Sequence, residues 1–508
     1  MFCEECGAQL EEGMRFCENC GAVVNGSAEP FSNSQKSEPV EKGVLLTRLS
    51  VLASQLSCSK QELFEEIGRY IEYKKTRGIQ YSLMDVVSSS VSDVVSLLKN
   101  LRSKNEFKYV FILGNEKVIE VSEWENKSGD SDSSVTSDLA YSSLSTSSPW
   151  EIQKYDFENF LLVGRLPSYD GEIFEEFCAY FKNAMISEES FEKLKTYGLS
   201  AAVWKQESDY EYRKIASSTT DSSPDITLNS VSSRIDADSN ILFFNLHGSS
   251  VAKFWYGQQG SSYPEAFSPE NLSALKKPYF LGVEACYGAR YIGNLGKTDS
   301  IVVQAMQSGC IALLGSSKIA YGTPNPTGSC ADLMVGEFLK QICAGKTAGN
   351  SHLAGIHRLF NESKDFSDTE IKTLTEFSLY GDPSSSTGNQ TKFGQKSFSS
   401  HSSLLSSRIE PHNAKFVGHA RGLYVQIPDI RSQIEMSLCE VDSKIKAIIN
   451  RHVYSFHKEL AGIEPKTYKF SNREMWQSIY TKQIGAVEKT VKVYFDKYGT
   501  IKKELESK

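Results

Sequence analysis

Two stretches of the sequence decide the predicted fold: ILFFNLHGSS at residues 241–250 and PYFLGVEACYGA at residues 278–289. Each begins with a short, continuous apolar run and ends in small and polar residues. Apolar runs of this length are typical of strands that are buried on both faces of a parallel sheet. Similar runs are found at residues 109–114, 161–164, 199–204 and 311–315.

Helical patterns separate these runs. Phe174, Phe177, Cys178 and Phe181 share one face of a predicted helix, and residues 331–344 form a second amphipathic pattern. Buried strands that alternate with amphipathic helices predict an α/β fold, with a central, mainly parallel sheet flanked by helices.

The composition along the chain predicts five segments. These are a cysteine module, a polar linker, the α/β domain, a linker rich in Ser, Gly and Gln, and a small C-terminal α+β region, at residues 1–24, 25–42, 43–385, 386–411 and 412–508. The last region is expected to contain a helix around residues 428–460 and to end in a strand, a Gly turn and a strand. The Ser- and Asp-rich residues 126–149 are expected to form an exposed loop.

Charge and hydropathy argue against several classes of protein. The 508 residues carry a net charge of −8, which does not favour non-specific nucleic-acid binding. No apolar run reaches the roughly 18 residues of a membrane span. The start, MFCEECGAQLEEG, lacks the features of a secretory signal, so a cytoplasmic location is expected. The seven cysteines outside the N-terminal module are expected to be free thiols.

The N-terminal module predicts a zinc site. Cys3 and Cys6 form one Cys-x-x-Cys-Gly knuckle, and Cys17 and Cys20 form another. Four thiolates complete a tetrahedral shell and leave no open position, so the zinc is expected to be structural. The stretch resembles the short zinc ribbons at the N-termini of many prokaryotic proteins. Because such ribbons are usually docking modules, a protein partner is expected to bind there.

A histidine follows the apolar run at residues 241–246, and a cysteine follows the run at residues 279–285. His247 and Cys286 are 39 residues apart in the chain, and the ends of parallel strands meet at one edge of a sheet. A thiol beside an imidazole can become an attacking thiolate. The backbone N–H groups of Gly248 and Cys286 could then hold an oxyanion. From the pattern alone, a structural cysteine and histidine remain an equal alternative.

The elements HGSS and EACYG resemble the His-Gly and Ala-Cys elements of the caspase-like clan, and the chain more specifically resembles the gingipain family of cysteine peptidases. Four further stretches resemble elements of that family in the same order: TSDLAY at 136–141, LLVGRLPS at 161–168, GCIALLGSSKIAYGTP at 309–324 and LYGDP at 379–383. The resemblance covers about residues 45–385. It implies a caspase-like fold and hydrolysis of peptide bonds in protein or peptide substrates, with Cys286 as nucleophile and His247 as base.

The resemblance also implies cleavage after basic residues, with arginine preferred over lysine. Family members that cleave after arginine carry an acidic residue in a Glu-Ser-Asp stretch, which Glu207-Ser208-Asp209 matches. Asp209 would then form the base of the S1 pocket, which binds the residue before the cleaved bond, and Glu207 would be a second candidate or would orient the histidine. The alternative is that both belong to a solvated loop. Two other functions stay open: a separase-like (CHAT) protease with one dedicated substrate, and a degenerate scaffold used for binding.

Overall fold

The computed structural model of the chain describes residues 40–191, 193–276, 278–363, 366–388, 436–471 and 473–508. Within this part, residues 42–508 form one unit. The predicted zinc ligands Cys3, Cys6, Cys17 and Cys20 lie outside the described residues, as do nearly all residues of both predicted linkers.

The strands, in chain order, are β1 Glu41–Thr47, β2 Ile79–Asp85, β3 Tyr109–Leu113, β4 Ser122–Glu125, β5 Ser134–Ser137, β6 Leu162–Leu166, β7 Thr196–Ala201, β8 Asp221–Ser223, β9 Ile241–Asn245, β10 Trp255–Tyr256, β11 Glu265–Phe267, β12 Tyr279–Val283, β13 Cys310–Ser316, β14 Tyr321–Gly322, β15 Phe377–Gly381, β16 Met436–Leu438, β17 Lys466–Phe470, β18 Met475–Ile484, β19 Val487–Asp496 and β20 Ile501–Ser507.

The α-helices are α1 Leu49–Gln55, α2 Lys60–Thr76, α3 Val91–Lys104, α4 Leu139–Ser143, α5 Phe174–Ser190, α6 Lys205–Tyr212, α7 Leu228–Arg234, α8 Ile301–Gln307, α9 Ala331–Cys343, α10 Ala348–Glu362, α11 Asp368–Glu376 and α12 Ser443–Phe456. Short 3-10 helices span Pro149–Lys154, Phe157–Asn159, Ala202–Trp204, Pro269–Ala274 and Lys458–Leu460. No helix of the described residues is long and apolar enough to cross a membrane.

The central sheet has the strand order β2-β1-β3-β6-β15-β13-β12-β9-β7-β8. Strands β7, β8, β9, β12 and β13 are parallel to one another, and β13 is antiparallel to β15, which is parallel to β6. The carboxyl ends of β7, β9 and β12 therefore lie at one edge of the sheet. The α/β fold with a mainly parallel sheet, predicted from the apolar runs, is confirmed.

Capping residues set the start of several helices. Ser59 and Glu62 form a capping box at the start of α2, and Ser367 and Glu370 form another at α11. Each box satisfies two backbone N–H groups that have no partner inside the helix. The strand predicted at 199–204 is instead β7 followed by the helical turn Ala202–Trp204, so α6 begins directly after that turn.

A second, antiparallel sheet joins the C-terminal region to the α/β domain. Its order is β14-β20-β19-β18-β17-β16, so that β14 of the α/β domain pairs with β20 of the C-terminal region. We call this the C-terminal sheet. One face packs against α12 through Val491, Val493 and Phe495, and the alternate residue Tyr494 belongs to the main core. The predicted strand, turn and strand at the end are β19 and β20.

Residues 126–149 differ from the predicted exposed loop. Their acidic side chains are buried because they pair with buried cations from distant elements. Asp130 lies 2.8 Å from the ammonium group of Lys372 and 3.3 Å from that of Lys492 on β19. Asp138 pairs with the buried guanidinium of Arg165 at 2.6 Å. The segment thus holds the α/β domain and the C-terminal sheet together.

Candidate active site

His247 and Cys286 follow β9 and β12, which are adjacent and parallel. Gly248, the residue after the histidine, lies directly against the backbone of Cys286, and a Cβ at this position would collide with the carbonyl oxygen of Cys286. The two strand ends can therefore approach this closely only with glycine at 248. Both side chains are buried: His247 has no exposed surface and Cys286 is 3% exposed.

The hydrogen bonds of Gln258 fix the tautomer of His247. The Gln258 side-chain amide donates to the carbonyl oxygen of Gly260 at 2.9 Å, so its Oε1 faces Nε2 of His247 at 2.7 Å. Nε2 must therefore carry the hydrogen, which leaves Nδ1 as the acceptor. Among the described residues, Nδ1 has no hydrogen-bond partner. Burial, with the nearby cation of Lys489, lowers the pKa of His247 well below its ordinary value, so the ring is neutral.

The thiol of Cys286 is also neutral. Its Sγ donates to the carbonyl oxygen of Ala320 at 3.5 Å. Burial raises the pKa of this thiol well above its ordinary value, and the carboxyl group of Glu376 raises it further. A thiol in this environment needs a base before it can act as a nucleophile.

Lys508, the last residue of the sequence, lies beside these two residues. Its main-chain oxygen accepts hydrogen bonds from the backbone N–H of Cys286 at 3.1 Å and of Gly248 at 3.4 Å. Its own N–H donates to the carbonyl oxygen of Ala320 at 3.0 Å. Two convergent N–H groups on one carbonyl oxygen are the arrangement that stabilises an oxyanion during acyl transfer.

The side chain of Lys508 fills a pocket of three buried carboxylates, Glu207, Glu284 and Asp332, which we call the acidic pocket. The ammonium group is 2.8 Å from Oδ1 of Asp332, 3.6 Å from Glu284 and 3.9 Å from Glu207. It also lies 4.3 Å from the centre of the Trp204 ring. Although burial opposes it, these carboxylates raise the pKa of Lys508, so the ammonium group is charged.

Three different elements supply the walls of the acidic pocket. Asp332 is in the first turn of α9, and its Oδ2 accepts from the N–H groups of Thr323 and Ser329, at 3.0 and 2.9 Å. Glu284 directly follows β12, and Glu207 lies on α6. Gly322 forms part of the wall, because a Cβ there would collide with Cε of Lys508.

Burial raises the pKa of both glutamates of the acidic pocket. Neighbouring carboxylates add to this: Asp332 raises the pKa of Glu207, and Glu207 and Asp332 raise that of Glu284. Among the described residues, neither oxygen of Glu284 has a hydrogen-bond partner. The pocket is therefore built to hold a positive charge, since without one its carboxylates repel each other.

The structure brings Cys286, His247, Gly248 and Glu207 of the sequence-derived set together, but not Asp209. The Asp209 carboxylate accepts from the N–H and hydroxyl of Thr220, at 2.9 and 2.8 Å, and pairs with Lys205 at 3.2 Å. Sequence reasoning missed Glu284, Asp332 and Gln258. Glu284 could have been found, because it is two residues before the cysteine, whereas the other two carry no local signal.

Two groups of side chains in the described residues have the geometry to hold a cation. The carboxylates of the acidic pocket are one group, and the ammonium group of Lys508 lies among them. The other group consists of His457, Glu504 and Glu506. Within it, His457 already donates a hydrogen bond of 3.0 Å to Glu504. The four thiols of the N-terminal module match the donors of a closed zinc site.

Comparisons with known proteins identify a family for the chain and a similar fold. Residues 53–387 match peptidase family C25, and residues 2–24 match a zinc-ribbon domain. The fold is similar to that in the complex of Porphyromonas gingivalis RgpB pro- and mature domains, at 13% identity and a TM-score of 0.50 over 92% of this chain and 93% of that one. The Arg-specific cysteine proteinase gingipain R (RgpB) gives 12% identity, a TM-score of 0.49 and coverages of 94% and 93%. No curated protein matches in sequence. Since the family match spans well over half of its residues, the chain belongs to peptidase family C25, and its N-terminus matches a zinc ribbon.

Proposed function

We propose that the chain is a cysteine endopeptidase that cleaves peptide bonds after a basic residue. One observation carries the proposal. The main-chain oxygen of Lys508 accepts from the N–H groups of both Cys286 and Gly248, while its side chain lies in the acidic pocket. A substrate residue bound in the same way would present its carbonyl group to the thiol.

The neutral histidine and thiol suit a mechanism of general-base catalysis. Nδ1 of His247 takes the proton of the Cys286 thiol, and the thiolate attacks the substrate carbonyl carbon. The N–H groups of Gly248 and Cys286 hold the developing oxyanion. The C–N bond breaks as His247 returns the proton to the leaving amine, and water then hydrolyses the thioester. Gln258 keeps His247 in the tautomer that this sequence of steps requires.

The acidic pocket would select the residue before the cleaved bond. A buried carboxylate without a cation is costly, so a neutral or acidic side chain would leave the pocket uncompensated. Lysine is the residue that the geometry supports best, because the Lys508 ammonium group reaches Asp332 at 2.8 Å. In this proposal the S1 residues are Glu207, Glu284 and Asp332.

The N-terminal module would have a separate role. Four thiolates and the zinc-ribbon match support a structural zinc held by Cys3, Cys6, Cys17 and Cys20. A closed shell offers no position for a substrate, so the metal would support folding of the ribbon and docking of a protein partner.

A peptide library tests the activity. Because Lys508 fills the pocket, both the unaltered chain and the Lys508→Ala variant are incubated with the library, and the Cys286→Ala variant is the control. We expect cleavage after lysine and arginine, and none by Cys286→Ala. Cleavage after acidic or apolar residues would contradict the specificity, and peptide binding without hydrolysis would favour the degenerate scaffold.

A further inference from the structure

Residues 501–508 form an extended peptide whose last residue lies in the candidate active site. β20 is antiparallel to β14, with Ser507 opposite Tyr321 and Glu506 opposite Gly322. The N–H of Lys508 continues this pairing to the carbonyl oxygen of Ala320. Addition of a strand to a sheet edge is a common way to bind extended peptides, because the backbone supplies the hydrogen bonds and pockets select the side chains.

We propose that β20 and Lys508 are an intramolecular ligand that competes with substrates for β14 and the acidic pocket. A substrate can then enter only after Lys508 has left. The inference rests on the proposed function, since it takes the pocket of Lys508 to be the one that binds the substrate's basic residue.

The charges of the acidic pocket explain why Lys508 and the basic residue of a substrate cannot bind there together. The pocket encloses one ammonium group, which lies within 4 Å of all three carboxylates. Its oxygens are buried, so departure of Lys508 leaves the carboxylates without a counter-charge, a state that is strongly unfavourable in proteins. An arriving lysine restores that charge. The pocket therefore favours a basic substrate, and Lys508 and a substrate lysine exclude each other from it.

The rest of the C-terminal region holds β20 in place and brings Lys489 close to the surroundings of His247. On its other edge β20 pairs with β19, where Lys489 contacts Glu506 at 2.5 Å. The ammonium group of Lys489 also lies 5.8 Å from the Trp204 ring, which is itself 4.3 Å from the ring of His247. Lys508 is therefore the end of a strand that is paired on both edges and anchored by an ion pair to β19.

A tethered ligand of this kind inhibits strongly. A segment within the same chain acts at an effective concentration of about 1 mM, well above the concentration of most peptide substrates. We therefore expect the unaltered chain to be at least about tenfold less active than a chain whose pocket is empty.

Activity measurements on the full chain give the first test. The substrate is a short peptidyl-lysine amide of a fluorophore. We expect kcat/KM to rise about tenfold or more in Lys508→Ala and in Lys508→Met, which keeps the length of the side chain but not its charge. Lys502→Ala is the matched control: Lys502 lies on the same strand, 45% exposed and paired with Asp496, and its loss should change nothing. Equal activity in all four chains would contradict the inference.

A binding measurement separates the inference from the proposed function, because it needs no catalysis. The probe is a labelled peptide IKKELESK, the sequence of residues 501–508, and binding is followed by fluorescence anisotropy. We expect Cys286→Ala/Lys508→Ala to bind it about tenfold or more tightly than Cys286→Ala alone. Equal affinity would overturn the inference. Suppose that the affinities differ in this way, but that none of the chains with an intact Cys286 hydrolyses the peptidyl-lysine substrate. That result would support the inference and contradict the proposed peptidase activity.

Discussion

Glu207 and Asp209 lie on opposite sides of α6, so that only Glu207 faces Lys508. Residues two apart on a helix are separated by about 200° around its axis. The Glu207 carboxylate is 3.9 Å from the ammonium group of Lys508, whereas Asp209 accepts the N–H of Thr220. Of two acidic residues in one short motif, one belongs to the acidic pocket and the other caps a neighbouring loop.

This arrangement predicts how single substitutions change specificity. In the Lys508→Ala chain, we expect Asp332→Asn to lower kcat/KM for a lysyl peptide by about 100-fold and Glu207→Gln by about tenfold, because loss of one partner of a buried charge pair costs about 2 kcal/mol or more. Asp209→Asn is the matched control and should stay within about twofold. The measurement is kcat/KM in a steady-state assay. If Asp209→Asn lowers kcat/KM more than Glu207→Gln does, the assignment of Glu207 to the S1 pocket is wrong.

The pH dependence of the peptidase should follow from the acidic pocket. Burial and neighbouring carboxylates raise the pKa of Glu207 and Glu284, and removal of the Lys508 cation raises these pKa values further. As pH falls towards the raised values, the carboxylates take up protons and lose their attraction for lysine. We expect kcat/KM of Lys508→Ala to fall at a pH above the usual carboxyl range, about 4.3.

Alkylation of Cys286 by a small neutral reagent is the control for that pH profile, since it reports the dyad but not the acidic pocket. The two profiles should differ on the acid side. In Lys508→Ala/Glu284→Gln, the acid limb for lysyl peptides should become shallower. If alkylation and kcat/KM for lysyl peptides depend on pH in the same way, the loss of activity at low pH comes from the dyad and not from the acidic pocket.

The dyad predicts a third set of results. Cys286→Ala and His247→Ala should each lower kcat by several orders of magnitude. Gln258→Leu should lower kcat by about tenfold or more without a comparable change in KM, because it frees the imidazole to adopt the other tautomer. Gln258→Glu still accepts from Nε2, so it should retain more activity and shift the pH profile. Equal losses for Leu and Glu would indicate a purely structural role for Gln258.

The sequence was sufficient for the features that depend on neighbouring residues. The apolar runs before His247 and Cys286 form β9 and β12, and the residues that follow them lie at one sheet edge because parallel strands end together. The alternation of strands and helices predicted the fold because each of these patterns is set by residues that are close together in the sequence. All seven cysteines outside the N-terminal module are free thiols in the structure, as expected.

Contacts between distant segments were not predictable in this way. The pairing of Lys508 with Asp332 joins the end of β20 to the start of α9, and no pattern in the neighbouring residues predicts this contact. Residues 126–149 look like an exposed loop because they are rich in Ser and Asp, but Asp130 is buried by lysines from α11 and β19. Glu207 and Asp209 could be told apart only once the segment was seen to be helical.

The zinc ribbon predicts one zinc ion per chain. A module of 24 residues cannot bury enough apolar surface to fold without a metal. Metal analysis should find one zinc in the unaltered chain and none in a chain with Cys17→Ser and Cys20→Ser.

Because residues 42–508 form a unit of their own, a chain that begins at residue 40 should keep its activity on peptides. Loss of that activity in a folded shortened chain would assign the ribbon a role in the chemistry.

The position of Lys508 predicts a self-cleavage reaction when a polypeptide is joined after it. Its carbonyl group already contacts the N–H groups of Cys286 and Gly248, so the added peptide bond would lie at the point of attack. Cys286 adds to the Lys508 carbonyl carbon, the C–N bond to the first added residue breaks, and His247 passes the thiol proton to the leaving amine. Water then hydrolyses the thioester, which restores the thiol and leaves a carboxylate on Lys508.

A small fluorescent protein joined after Lys508 makes this reaction measurable. Mass spectrometry should find cleavage after Lys508 and not after Lys502 or Lys503, at a rate that does not depend on protein concentration, because the bond is presented within the same chain. Cys286→Ala should leave the fusion intact, and Lys508→Ala should slow its cleavage by about 100-fold or more, since the acidic pocket then lacks its cation. An intact fusion in a protein that hydrolyses lysyl peptides would mean that β20 does not hold Lys508 in a reactive position.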